Sequence, residues 1–191
     1  MEPRTRIATI FTAGLAAIML GVVVLYGMNG RAVHAGVPAL LDQVKLSANR
    51  PPIPDVRFAD AAGKPVALAD FKGRAVVLNL WATWCAPCIA ELPELAQAKA
   101  RLPDDKVTVV AVDLERLGTE KVGDFLKEHD ASGLAIYTDG ELALMRAFKT
   151  ESLPLTVLID SDGHVAATAS GPQKWGNPAS VAYLKTLAIA R

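Results

Sequence analysis

The sequence predicts an α/β domain built on a mixed β-sheet, preceded by a membrane-spanning segment. Three observations carry that reading. Short apolar runs at 75–82, 106–113 and 154–160 alternate with stretches of helical spacing. The last of these runs opens a hairpin signature that a helical stretch follows. And residues 7–30 contain no charged side chain.

That uncharged stretch comes first in the chain. Ile7 to Tyr26 is almost wholly apolar, and at about 1.5 Å per residue it crosses a hydrocarbon layer of roughly 30 Å. A cleaved signal peptide is the competing reading, with Val33-His34-Ala35 as an imperfect small-residue site. The run is longer than a signal-peptide core of about 7–15 residues, so residues 1–28 read as an uncleaved anchor. Arg4 and Arg6 favour a cytoplasmic N-terminus, although Arg31, Lys45 and Arg50 weaken the charge asymmetry. Residues 29–51 read as a tether in which Leu40, Leu41 and Val44 line one face of a short helix. Arg50-Pro51-Pro52-Ile53-Pro54 then forces extended backbone, and the folded domain is placed at 52–191.

Within the domain, Val56–Phe58 and Pro65–Leu68 flank Asp60–Lys64 as a hairpin. Asp70–Gly73 turns the chain into a buried strand at 75–80. Ile89–Ala100 has helical spacing, Lys106–Asp113 reads as a second buried strand, and Thr119–His129 as a helix with Val122, Phe125 and Leu126 on one side. Leu134–Tyr137 is a short strand and Glu141–Phe148 a short helix. Pro154–Asp160, the turn Ser161-Asp162-Gly163 and His164–Ala169 form the late hairpin, and residues 177–190 a closing helix. The connections are short, as in a compact domain.

Composition narrows the functional classes. Half of the 191 residues are hydrophobic (51%), ample for a core. Twenty basic and twenty acidic residues cancel, and no basic block occurs, which gives no support to nucleic-acid binding. Repeats and low-complexity tracts are absent from the sequence.

Both cysteines lie in Trp84-Cys85-Ala86-Pro87-Cys88. Their spacing sets two sulfurs about one helical turn apart, close enough to join and separate as a disulfide. A strand precedes them and a helix follows, so they meet the free N–H groups and positive dipole end of a helix start. That field favours thiolate over thiol. A zinc site needs four ligands and a lone pair supplies two; His34, His129 and His164 stand at no ligand spacing from one another or from the pair. A structural staple closing so short a loop adds little by loop entropy. Flanking Trp84 and intervening Pro87 favour redox exchange.

Asn79–Cys88 followed by Glu91-Leu92-Pro93 resembles the thioredoxin superfamily, and within it the membrane-anchored TlpA/ResA branch, over residues of about 52–190. The early hairpin, Leu153-Pro154 before a strand, and Gly171-Pro172-Gln173-Lys174-Trp175 carry the likeness further, the last toward the TlpA side of the branch. The resemblance implies a thioredoxin-like fold with an N-terminal β-hairpin extension and no cofactor beyond a redox-active Cys85–Cys88 disulfide. It implies Cys85 as the exposed attacking thiolate, Cys88 as the resolving thiol, Ala86 and Pro87 as the spacing that shapes the pair, and Trp84 as a lip beside Cys85. Trp81 reads as core. Pro154 matches a cis-proline packed against the pair, whose bend offers the Leu153 backbone to an extended client segment. Leu153 and Leu155 make this lip more apolar than is usual in the family.

One departure bears on mechanism. Thioredoxin carries a buried aspartate where this chain has Asn79, and an amide cannot take the resolving thiol's proton. Glu91 matches the glutamate that ResA-like proteins hold near their cysteines, and is expected to tune them and to help deprotonate Cys88. The resemblance further implies a reductant, catalytic domain on the periplasmic side of the inner membrane, recharged by a membrane thiol electron donor. Its clients would be proteins whose cysteines await a cofactor: a copper-centre assembly factor or subunit of a cytochrome oxidase, or apocytochrome c. A disulfide-forming oxidant, a thiol peroxidase and a copper-binding chaperone are the rival readings.

Overall fold

The computed structural model describes residues 36–102, 104 and 106–188. Eight strands form one sheet: β1 (Val44–Leu46), β2 (Arg57–Asp60), β3 (Pro65–Ala67), β4 (Ala75–Trp81), β5 (Val107–Asp113), β6 (Tyr137–Thr138), β7 (Leu155–Ile159) and β8 (Val165–Ser170). Their spatial order is β1-β8-β7-β4-β5-β6-β2-β3. Pairings β4–β5 and β5–β6 are parallel, and the rest are antiparallel. The helices are α1 (Ala86–Arg101), α2 (Thr119–Glu128), α3 (Ala143–Ala147) and α4 (Pro178–Thr186), with a 3-10 turn at Leu68–Phe71.

Every side chain of β4 is buried, because both faces of the sheet are covered. Ala75, Val77 and Trp81 point toward α1, α2 and α4 and pack with Leu92, Leu95, Leu126 and Leu184. Val76, Leu78 and Leu80 point the other way, to Phe58, Leu68, Phe71 and Leu144. Alternation along the strand thus sends Asn79 to the α1 face, the face that matters for the site. Trp81 is core, as read, stacked on Phe125 at 5.7 Å between centroids. The early hairpin forms and extends the sheet by pairing β2 with β6.

Several elements differ from the sequence reading. The helix after the cysteines begins at Ala86, three residues early, because Cys85 caps it and Pro87 suits a first turn. Leu134–Tyr137 gives only a two-residue strand, Tyr137–Thr138. The short helix begins at Ala143, since Leu142 takes a left-handed conformation at φ 55°. The last helix ends at Thr186.

The largest correction concerns residues 36–51, which do not form a loose tether. Leu41 is only 1% exposed and packs in the α1-face core. Val44–Leu46 is a strand rather than part of a short helix, in register with Ala169, Thr168 and Ala167 of β8. Val165 donates its N–H to Pro51 O at 2.8 Å, Ile53 donates to Gly163 O at 3.0 Å, and Arg50 pairs with Asp160. Hydrogen bonds to the far later strand β8 hold a segment whose own apolar pattern is too short to announce it. The proposed anchor at 1–28 lies outside the described residues. Among the described residues no helix is long and apolar enough to cross a membrane.

Candidate active site

Cys85 and Cys88 form a disulfide at the start of α1. Cys85 is the N-cap, and its sulfur accepts the Cys88 backbone N–H at 3.3 Å. A thiolate there would meet both that donor and the helix's positive end. Cys85 is the more accessible of the two, but at 5% against 1% neither sulfur is freely exposed. Ala86 and Pro87 sit between them at the surface. Trp84 stands out at 71% exposed, beside Cys85 and free to meet a docking chain.

The Leu153–Pro154 peptide is cis. Strand β7 pairs with β4 so that Leu155 faces Leu80. One step further along this register, Pro154 falls across from Trp81, at the end of β4 that leads to Cys85. The Pro154 carbonyl accepts the Gly171 N–H at 2.9 Å. Within the described residues no backbone hydrogen bond engages Leu153, and its half-buried side chain packs against the core that contains both cysteines.

Glu91 lies one turn past Cys88 on α1 and is 1% exposed. Three hydrogen bonds from two segments, β4 and residues 173–175, converge on its carboxyl. Oε2 accepts Nδ2 of Asn79, from β4, at 2.9 Å. Oε1 accepts the Gln173 backbone N–H at 2.9 Å and the Trp175 indole N–H at 2.7 Å. Asn79 Nδ2 also donates to Thr156 Oγ1 of β7 at 2.9 Å. Burial pushes the Glu91 carboxyl up from 4.5 to about 7; the three hydrogen bonds hold it down against that, and Glu94 nearby adds a smaller upward push. Asn79, which cannot itself take a proton, positions the group that can.

A second carboxyl pair secures the loop in front of the cysteines. Glu115 Oε2 accepts the Thr83 N–H at 2.5 Å. Asp113, fully buried beside Trp81 in register, accepts the Glu115 N–H at 3.2 Å. Burial, and then the Glu115 charge, raise Asp113 from 3.8 to about 7. Sequence reading passed over Glu115 and Thr156, which carry no local signal. Gln173 and Trp175, which in sequence carry only the family resemblance, are brought into the site by the fold. Among the described residues no three His, Cys, Asp or Glu side chains gather as metal ligands.

A cysteine pair capping a helix, a cis-proline at the adjacent strand and a mixed sheet between helical layers define a thioredoxin-fold thiol:disulfide oxidoreductase. The redoxin family matches residues 48–185, and the chain belongs to it. Thiol-disulfide oxidoreductase ResA of Bacillus cereus is 30% identical over 151 residues, 78% of this chain and 84% of that protein. Among solved structures, a Chlorobium tepidum protein described as thiol:disulfide interchange protein DsbE superposes with a TM-score of 0.60 at 28% identity, over 75% of this chain and 96% of its own. StoA from Bacillus subtilis does so with a TM-score of 0.55 at 25% identity, over 71% and 97%.

Proposed function

We propose that this protein reduces client disulfides outside the cytoplasm, held at the inner membrane by residues 1–28. The observation that carries the reductive mechanism is the buried Glu91 carboxyl, poised near neutrality one turn from Cys88. The Cys85 thiolate attacks one sulfur of a client disulfide. A bond forms between Cys85 and that sulfur, and the client's other sulfur leaves as a thiolate and takes up a proton. Cys88 gives its proton to Glu91 and attacks the Cys85 sulfur, which expels the client's second sulfur as a thiolate that in turn takes up a proton. The client gains two electrons and two protons, and the pair ends as the Cys85–Cys88 disulfide. A membrane thiol donor restores the dithiol.

Trp84 and Leu153 would grip the client's extended segment, with the unengaged Leu153 backbone pairing it as an added strand. Gly171–Trp175 supports clients whose cysteines await copper, an oxidase assembly factor or oxidase subunit, with apocytochrome c as the alternative. Trapping tests the reading. Cys88→Ser in the full chain should accumulate a mixed disulfide on Cys85, and mass spectrometry would name the client. Stoichiometric copper binding with no trapped client would overturn it, and a measured potential above about −150 mV would make the protein an oxidant instead.

A further inference from the structure

The segment 171–176 is bound to helix α1 through residues 173–176. Gly171 starts it with its N–H on Pro154 O. Gln173 and Trp175 both donate to Oε1 of Glu91. Gly176 donates to Glu94 Oε2 at 3.0 Å, and Arg101 donates to Gly176 O. Lys174 pairs with Glu94 at 3.6 Å, and Ser180 Oγ donates to Lys174 O at 2.6 Å. Trp175 is fully buried. A tryptophan needed only for packing would not have to aim its one polar atom at a carboxylate; here the indole N–H makes the shortest of Glu91's hydrogen bonds.

We propose that Trp175 is a positioning residue for Glu91: its indole N–H, with the Gln173 N–H beside it, orients the carboxyl and stabilises its charged form. The proposal rests on the reading of Glu91 given above, but its test does not depend on client turnover. The groups around the carboxyl allow the assignment. From β4 and β7 come only the neutral Asn79 and Thr156. From α1 comes Glu94, already paired with Lys174. Among the described residues no cation pairs with Glu91, so its negative charge is stabilised by N–H dipoles. Two of these come from the 171–176 segment. The pull of these hydrogen bonds against desolvation is part of what holds Glu91 near 7.

The decisive measurement is a pH titration of the Glu91 side-chain carboxyl carbon by NMR in the oxidised full chain, assigned by its loss in Glu91→Gln. Trp175→Phe should raise the midpoint by about one pH unit, the size expected for loss of one charge-assisted hydrogen bond. Where phenylalanine fails to fold in so tight a site, benzothienylalanine at position 175 keeps the ring shape and removes only the N–H. An unchanged midpoint in a folded variant overturns the proposal. The pH profile of client reduction by Glu91→Gln tests the preceding reading separately, since it asks what the carboxyl does and not what holds it.

Discussion

Glu91 and Asp113 are carboxyls that keep their protons to about pH 7 in the folded chain, against ordinary values of 4.5 and 3.8. Between those limits the folded protein binds protons that the unfolded chain has released. Stability therefore falls as pH rises from about 4 to about 7 and levels off above it. Glu91, the more deeply desolvated, contributes on the order of 3 kcal/mol to that fall, and Asp113 adds to it in the same direction. Asp160 works in the opposite sense over a lower window. Burial would raise it, but the His164 and Asp162 N–H groups and Arg50 together lower it, and the stability it adds is lost only as pH falls below the usual aspartate range. Melting curves of Glu91→Gln and of Asp113→Asn should each show a flatter dependence between pH 5 and 7 than the parent; a parallel curve would mean that the carboxyl replaced does not titrate there. Glutamine is tolerable at 91 because Asn79 can turn its unpartnered Oδ1 toward the new amide while Thr156 Oγ1 switches from acceptor to donor. The same Glu91→Gln protein should lose the step in client reduction near pH 7, read from stopped-flow rates across pH 5–9.

At the scale of elements, β4, β5, β7, α1 and α2 were legible because each is a long run whose apolar period matches its burial. The cysteine pair was legible because spacing and flanks act locally. What escaped, Pro154 apart, were the contacts made across the fold. Asn79 in sequence shows only that no aspartate stands there, and the fold makes it the donor that faces Glu91. Trp175 is 84 positions from the carboxyl it binds, and no window of sequence contains both. Thr83 and Glu115 meet only because β4 and β5 run parallel and end together. The segment that carries Trp175 also has a steric signature. A Cβ at Gly176 would stand 2.9 Å from Gln97 Cβ and 3.0 Å from Glu94 Oε2. Gly176→Ala should therefore cost about 1–3 kcal/mol by overpacking, seen as a lower denaturant midpoint with an unchanged slope.

For the molecule as a whole, the described fold begins well before the point at which the sequence places it. Leu41, Val44 and the Arg50–Asp160 pair make residues 41–50 part of the sheet's β8 edge. Leu41→Ala should then destabilise the domain by about 2–4 kcal/mol, as a core truncation does, whereas a residue in a loose linker would register almost nothing by chemical denaturation. Sequence reading missed this because three residues of strand, with Leu46 left 68% exposed, lack the alternation that marks longer ones.

The meeting of Asn79, Glu91 and Trp175 also sets when the chain becomes chemically competent. Synthesis delivers Cys85 and Cys88 long before residues 173–175, and helix α1 can coil without them. Until the late segment arrives and docks, Glu91 has no indole partner and no buried setting, and titrates as an ordinary side-chain acid. On the reading of Glu91 given above, a chain that has not reached residue 175 keeps the helix-start donors beside Cys85 but would lack a tuned proton acceptor for Cys88. The carboxyl thus takes on its folded setting last, with a segment 82 to 84 positions further along the chain.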